Sequence, residues 1–209
     1  MFSLQTIFGK GDKFYGLLEQ SAEAARESAE ALHALVTQAD HVPVMAAFAA
    51  TRAREKALAA QISEELVNTF VTALDREDIE ALNSALYKIP KAVEKFAERY
   101  DIVAGRLEAV DFAQRARVLE RSTGVVAEMI GELRRGLRID PVKKLQDRLQ
   151  TLESEGDRML LAPYRTLYVE GNDAMKAMLA KDLFELIEKA IDKCRDVGNI
   201  VYSIVLKNS

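Results

Sequence analysis

The feature that most constrains this chain is a run of apolar residues at steps of three and four, which continues through most of its 209 residues. The longest unbroken stretch consists of Leu82, Leu86, Ile89, Val93, Phe96, Tyr100 and Val103. This spacing places the side chains on one face of an α-helix. The chain contains only 10 Gly and 4 Pro, so turns are few and helices are long. The sequence therefore predicts an all-α fold.

The same pattern recurs six times. We place the first, second and fifth helices at about residues 12–39, 44–73 and 141–169, the third between Asp75 and Gly105, the fourth before Gly136 and the sixth after Asp173. Helices one to three and four to six resemble two copies of one unit. The sequence thus predicts a single domain over residues 1–209, built of two tandem three-helix bundles with a pseudo-twofold relation, from internal repeats at about 12–105 and 108–209.

Local signals add detail to the helix boundaries. Asp75 is predicted to cap the third helix, and Pro43 to open the second. Pro90 and Pro163 each remove a backbone hydrogen bond, so we expect them to bend the third and fifth helices.

Composition excludes several classes of function. A net charge of −4 argues against nucleic-acid binding, and the absence of any run of 18 apolar residues argues against a membrane-spanning segment. The single cysteine, Cys194, cannot form an intramolecular disulfide, and its place on an apolar stripe predicts a buried structural thiol. The N-terminus does not resemble a signal peptide, so we expect a cytoplasmic protein.

The residues that point to chemistry are two sets of carboxylates. Glu188, Asp192 and Asp196 recur every four residues and therefore form one stripe on a helix. Glu153 and Asp157 show the same spacing in the preceding helix, and an antiparallel pair of helices would bring the two sets face to face. Converging carboxylate oxygens bind divalent or trivalent cations. In a chain with 30% charged residues, the same spacing also arises in a solvated face with ion pairs to neighbouring lysines.

Four phrases in the sequence carry a resemblance to a known family. They are Asp12-Lys-Phe-Tyr-Gly-Leu-Leu-Glu19, Asn68-Thr-Phe-Val-Thr-Ala-Leu-Asp-Arg-Glu-Asp-Ile79, Glu153-Ser-Glu-Gly-Asp157 and Asp192-Lys-Cys-Arg-Asp-Val-Gly-Asn199, the last followed by Lys207-Asn-Ser209. With them, nearly the whole chain resembles the PhoU-like family encoded beside Pit-type phosphate transporters. The resemblance implies two three-helix bundles, no enzymatic activity, and a regulatory or accessory role in phosphate transport, exerted by docking on a Pit-type transporter at the inner face of the membrane.

The resemblance also implies bound metal. The family's Glu/Asp-x-x-x-Asp motifs fall on Glu153, Asp157, Glu188, Asp192 and Asp196, with Asn199 at the accompanying amide position. These residues are our predicted ligands for a divalent or trivalent metal ion. Neither the identity of the metal nor the oligomeric state follows from the sequence, and a homo-oligomer is compatible with it.

The first half of the chain departs from the family pattern. Arg52, Lys56, Tyr87 and Lys91 stand where carboxylates are expected. Positive charges repel a cation, so we predict metal only in the C-terminal half. The basic residues of this region are expected to pair with Glu55, Glu94 and Glu98, or else to bind an anion.

Two rival functions remain to be weighed. A ferritin-like carboxylate-metal enzyme needs Glu-x-x-His pairs on facing helices, whereas the only histidines are His33, preceded by Glu30, and His41. We therefore expect no such enzyme, and we expect His33 to be exposed. A helical scaffold on the membrane surface is the other rival, and its support is a cluster of five cations at one turn: Arg134, Arg135, Arg138, Lys143 and Lys144. This cluster would meet anionic headgroups or an acidic transporter loop, or it is a solvated corner.

Overall fold

The computed structural model describes residues 4–37, 45–107, 110–167 and 173–209. All regular secondary structure in these ranges is helical. The α-helices are α1 (Leu4–Thr37), α2 (Met45–Asn68), α3 (Arg76–Val103), α4 (Ala113–Arg134), α5 (Ile139–Leu167) and α6 (Ala174–Lys207), and a 3-10 turn at Ala104–Arg106 follows α3. The prediction of an all-α fold with six long helices is confirmed.

The helices pack as two groups of three. Helices α1, α2 and α3 contact one another, and so do α4, α5 and α6. The groups are joined where α1 lies on α4 and where α3 lies on α6. Helices α1, α3, α6 and α4 therefore form a four-helix centre, which α2 covers on one side and α5 on the other.

Ion pairs between helices show which ends lie together. Lys13 near the start of α1 pairs with Glu65 near the end of α2. Lys207 at the end of α6 pairs with Asp78 at the start of α3, with 2.8 Å between Nζ and Oδ1. Arg134 at the end of α4 pairs in turn with Glu19 of α1 at 3.0 Å. One end of the bundle thus gathers the α2–α3 turn, the α4–α5 turn and the end of α6, and we call it the turn end.

The core follows the apolar stripes of the sequence. Leu82, Leu86, Ile89, Val93 and Phe96 of α3 are all fully buried. On α1 the matching positions include Ala22, Ala25 and Ala29, whose small side chains let the neighbouring helices approach closely. Phe112, just before α4, joins the two halves because its ring lies 5.7 Å from that of Phe96 and 4.7 Å from that of Phe184 on α6.

The helix boundaries differ from the prediction in two places. Helix α1 begins at Leu4 and not at residue 12, and it includes Gly9 and Gly11. Helix α2 ends at Asn68, five residues earlier than expected. The early end has a physical cause: the Arg76 guanidinium donates to the carbonyl oxygens of Leu66 and Thr69, which satisfies acceptors that the helix can no longer pair.

The caps and prolines also bear on the sequence predictions. Asp75 is the N-cap residue of α3, as predicted. Its side chain makes no capping hydrogen bond, and its carbonyl oxygen accepts from the Asp78 and Ile79 N–H groups. Helices α3 and α5 continue through Pro90 and Pro163. Pro43 lies outside the described residues.

Two further predictions can be compared with the structure. Cys194 is fully buried, as predicted, and its Sγ donates to the Ala190 carbonyl oxygen at 3.4 Å. Burial raises the pKa of this thiol far above its ordinary range. Within the described part of the chain, none of the helices has a segment that is both long enough and apolar enough to cross a bilayer.

Candidate functional site

Four of the five predicted carboxylate ligands lie near one another between α5 and α6. Helix α5 runs antiparallel to α6, and Glu188 of α6 feels the charges of Asp157 and Glu153 on α5. Burial raises the pKa of Glu188 to about 7, and the negative charge of Asp192, a hydrogen bond with Asp192, and the charges of Asp157 and Glu153 act in the same direction. Glu188 therefore lies among other carboxylates and is partly protonated near neutral pH. We call these four residues the acidic cluster.

A cation from the chain itself lies in the acidic cluster. The Arg195 guanidinium of α6 is hydrogen-bonded to Glu153, and its second terminal nitrogen lies 3.6 Å from Asp192 Oδ1. Asp196, the fifth predicted ligand, pairs with Lys193 at 2.7 Å. Three of the five predicted ligands, Glu153, Asp192 and Asp196, thus have basic partners on α6.

The fit of this arrangement to a metal ion is partial. The donor type is right, because carboxylate oxygens are hard ligands, and the raised pKa of Glu188 is a sign of unbalanced negative charge. Nevertheless, over the residues that the structure describes, no three His, Cys, Asp or Glu side chains are arranged to hold a metal. To complete such a set, Arg195 would have to leave Glu153.

Behind the acidic cluster, α5 and α6 are in close contact at Gly198. A Cβ atom at this position would lie 2.5 Å from Leu149 Cδ1 and 2.6 Å from Gln146 Oε1, so only glycine fits without a shift of its neighbours. The amide of Gln146 also donates to Asn199 Oδ1. Asn199, the predicted amide companion of the ligands, is therefore engaged in the contact between the helices.

The corresponding region of the N-terminal half contains a buried cation, in line with the prediction. Arg52 is buried in α2, with its Nε 3.4 Å from Glu94 Oε2 and its guanidinium 3.9 Å from the centre of the Tyr87 ring. The predicted pairing with Glu94 is confirmed. Arg54 pairs instead with Glu27 of α1 at 2.7 Å.

Glu55 and Glu98 do not pair as the sequence suggested. Among the described residues, neither carboxylate forms an ion pair, since Glu98 points to an exposed surface and Glu55 is fully buried. Both oxygens of Glu55 lack a hydrogen-bond partner in the described part of the protein. Burial raises the pKa of Glu55 to about 7. The nearby Ser21 hydroxyl, whose geometry falls short of a hydrogen bond, and the charges of Arg52 and Arg54 act in the opposite direction.

The predicted cluster of five cations lies at the turn end. Its three arginines have acidic partners: Arg134 pairs with Glu19, and Arg135 and Arg138 lie 2.7 and 3.3 Å from the two oxygens of the buried Glu132. Lys143 and Lys144 are exposed on the first turns of α5 and form no ion pair with any described residue. Two of the five cations therefore remain available to a partner.

His33 is not exposed, contrary to expectation. Its ring lies between α1 and α4, with Nδ1 2.7 Å from Glu120 Oε2, and its Nε2 is buried. The reason is that α1 packs along α4 at this height of the bundle. His41 lies outside the described residues.

Two solved structures from Shewanella oneidensis MR-1 share this architecture. A PhoU-like protein matches with a TM-score of 0.79 at 18% identity, over 93% of this chain and 99% of its own. A second protein, provisionally described as a PhoU-like phosphate regulatory protein, matches with a TM-score of 0.77 at 18% identity and the same coverage. The fold is PhoU-like.

The chain also has a relative at the level of sequence. UPF0111 protein YkaA of Bacillus subtilis (strain 168) is 23% identical over 149 residues, which make up 70% of this chain and 71% of that protein. No protein-family model matches the sequence. The resemblance to PhoU-like proteins is thus confirmed for the fold, and the association with a Pit-type transporter stays a prediction.

The PhoU-like fold also brings together residues that the sequence pattern did not single out. At the turn end, Phe70 is fully exposed between Val67 and Val71, which are exposed as well. Between α3 and α6, a groove collects lysines from both helices, including Lys95 and Lys189. The spacing of lysines along α3 could have indicated this groove, whereas the exposure of Phe70 depends on where α2 ends.

Proposed function

We propose that this PhoU-like protein is a non-enzymatic regulatory protein of inorganic phosphate transport, which acts in the cytoplasm by docking on a Pit-type membrane transporter. The observation that carries the proposal is the match of the fold to PhoU-like proteins along 93% of the chain. One of those proteins is itself described as a phosphate regulatory protein. The phrases of the sequence that resemble the family support the same role.

The turn end supplies a surface for docking. Phe70 is fully exposed, and the turn that carries it is fixed by its neighbours. Thr69 is buried, and Thr72 Oγ1 donates to the Leu74 carbonyl oxygen at 2.6 Å. Arg76 in addition binds the end of α2. An exposed aromatic side chain on an ordered turn loses little conformational freedom on binding. Aromatic side chains in such positions are frequent anchors of protein interfaces.

Charge at the same end suits a membrane protein as the partner. Lys143 and Lys144 are exposed beside the α4–α5 turn, and Leu206 near the end of α6 adds exposed apolar surface. Cations next to apolar side chains match the boundary between a transporter and anionic headgroups. The turn end therefore fits the cytoplasmic face of a transporter better than it fits a fully solvated role.

Two described side chains of types that serve in catalysis, His33 and Cys194, are engaged in structural contacts. His33 pairs with Glu120, and the Cys194 thiol is fully buried with a strongly raised pKa. These contacts support a protein that acts by binding. Within that role, we infer that the acidic cluster binds a metal ion when Arg195 releases Glu153, so that a metal would be a regulator and not a reagent.

Co-purification with a phosphate permease in detergent tests the docking proposal. Phe70→Ser should weaken capture about ten-fold or more, as expected for an aromatic anchor. Ile102→Ser is a matched control, because Ile102 is 81% exposed near the end of α3, at the opposite end of the bundle. Capture that is unchanged in Phe70→Ser, or equally weakened in both variants, would contradict the proposal.

Two further outcomes separate the rival interpretations. If Phe70→Ser converts an oligomer into a monomer in light scattering while permease capture is unchanged, the turn end is an interface between copies of this chain. If the protein sediments with transporter-free anionic vesicles and Phe70→Ser abolishes this, it is a membrane-surface scaffold. Either outcome would reject docking on a transporter through Phe70.

A further inference from the structure

A groove between α3 and α6 has a charge opposite to that of the whole protein. It has a volume of about 420 Å³, with Ala92 and Leu186 among its lining residues. Six cations and two carboxylates make up the rest of the lining: Lys88, Lys91, Lys95, Arg99, Lys189 and Lys193, with Asp182 and Glu185. The excess of positive charge in the groove contrasts with the net charge of −4 on the chain. We call it the basic groove.

Four cations of α3 have no ion-pair partner among the residues that the structure describes. Lys88, Lys91, Lys95 and Arg99 follow one another at steps of three, four and four, so they form a single exposed stripe. None of the four is within ion-pairing distance of a described carboxylate. Like charges at these steps destabilise a helix by a few tenths of a kcal/mol per pair, which leaves the stripe in need of a counter-charge from outside.

On the α6 side of the groove, some of the charged side chains already have partners within the protein. On α6, Lys193 pairs with Asp196, and Glu185 pairs with Lys181. Lys189, between them, is exposed and forms no ion pair among the residues described. An anion in the groove would therefore lie along α3 and be closed in by Lys189 from the other side.

We propose that the basic groove binds an elongated, multivalent phosphoanion, of which a linear chain of condensed phosphates is the simplest form. The stripe from Lys88 to Arg99 extends about 16 Å along the helix axis, from a rise of about 1.5 Å per residue. A single orthophosphate meets only one or two of these side chains, whereas a chain of phosphates meets all of them. Lysine binds phosphate as a point charge, so a row of lysines recognises charge density along a line.

The groove is separate from the surface proposed for docking. Lys88 lies twelve residues along α3 from Arg76, about 18 Å from the turn end. Binding in the groove therefore does not depend on Phe70 or on any transporter. It would add a ligand to the proposed function, since a phosphate regulator with such a site could respond to a soluble phosphorylated molecule.

Isothermal titration calorimetry on the purified full chain tests the proposal with three soluble probes: orthophosphate, tripolyphosphate and a longer linear polyphosphate. Affinity should rise in that order and fall with added salt. The double variant Lys91→Glu/Lys95→Glu should weaken tripolyphosphate binding by roughly 30-fold, the effect of two lost contacts of about 1 kcal/mol each. Lys143→Glu/Lys144→Glu makes the same change of charge on the exposed face of α5 and should leave the affinity within about two-fold.

Folding is checked by circular dichroism, and Lys95→Gln gives a milder variant that should weaken binding in proportion. If Lys91→Glu/Lys95→Glu and Lys143→Glu/Lys144→Glu lose equal affinity for tripolyphosphate, only the overall charge of the protein determines binding, and the proposal would fail. It would also fail if none of the soluble probes bound while anionic vesicles did, or if single-stranded nucleic acid bound more tightly than polyphosphate of equal charge.

Discussion

Arg195 of α6 forms an ion pair with Glu153 of α5 in the middle of the acidic cluster, and its guanidinium also lies 3.6 Å from Asp192. The position that the sequence assigned to a metal is thus occupied by a positive charge from the chain. Such a pair reduces the repulsion among the carboxylates, but the charges of Asp192, Asp157 and Glu153 still add to burial in raising the pKa of Glu188. A cation of higher charge could therefore compete with Arg195 for the same oxygens.

Replacement of Arg195 should strengthen the response to metal. We expect Arg195→Gln to melt at a lower temperature than the wild type without metal, because the carboxylates lose their counter-charge, and to gain more stability on addition of Mn²⁺ or Mg²⁺. The response of either protein should grow as the pH rises through about 7, where Glu188 loses its proton. Thermal melts with and without each ion measure both effects.

A matched control for this experiment is Arg148→Gln, which removes an exposed ion pair with Glu128. It should leave the metal response unchanged. Elemental analysis should find no more than one metal site per chain, lost in Asp192→Ala or Asp157→Ala and unaffected by Lys91→Ala. If Arg195→Gln shows no larger response than Arg148→Gln, the acidic cluster is a set of ion pairs and not a metal site.

Glu55 predicts an unusual dependence of stability on pH. In the folded protein the pKa of Glu55 is raised from about 4.5 to about 7. Its contribution to the free energy of unfolding is therefore fully present below the pKa of the unfolded chain and is lost as the pH rises through about 7. The lost contribution is on the order of 3 kcal/mol, at about 1.4 kcal/mol per pKa unit. Glu55→Gln should therefore stabilise the protein at pH 8 and change its stability little at pH 5, as measured by urea unfolding.

Glu64→Gln provides the comparison, since Glu64 is exposed on the same helix. It should shift the unfolding midpoint equally at both pH values. A destabilised Glu55→Gln protein at pH 8 would show that the carboxylate is held ionised by Arg52 or Arg54, contrary to this account.

The close contact at Gly198 predicts opposite effects for two glycine substitutions. Gly198→Ala forces Leu149 and Gln146 out of place in a buried contact and should cost about 1–3 kcal/mol of unfolding free energy. Gly124→Ala meets no atom within 4 Å in the middle of α4 and should stabilise by up to about 1 kcal/mol through helix propensity. Denaturant unfolding of the pair distinguishes the packing effect from the propensity effect.

The comparison of sequence and structure shows which features can be predicted from residue spacing alone. The apolar stripe from Leu82 to Phe96 indicated the buried face of α3, and the four-residue spacing of Glu188 and Asp192 indicated their common face, because both depend only on helix geometry. The ion pair of Arg195 with Glu153 depends on the register between α5 and α6, which no single helix encodes. The burial of His33 against Glu120 was missed for the same reason.

The end of α2 could not be predicted from residue spacing, for a second reason. Its apolar spacing continues beyond Asn68 to Phe70, and a helix to residue 73 was a reasonable interpretation of that pattern. Arg76 ends the helix by binding its last carbonyl oxygens, and Phe70 is thereby left in solvent. The exposed Phe70, which best supports docking, thus depends on the contacts of Arg76, six residues further along the chain.

The most direct test of the central claim is the rate of inorganic phosphate uptake in cells that lack this protein. Uptake should change on deletion and be restored by the wild-type chain and by Ile102→Ser, but not by Phe70→Ser at equal protein levels. An unchanged uptake rate on deletion, or full restoration by Phe70→Ser, would contradict the account.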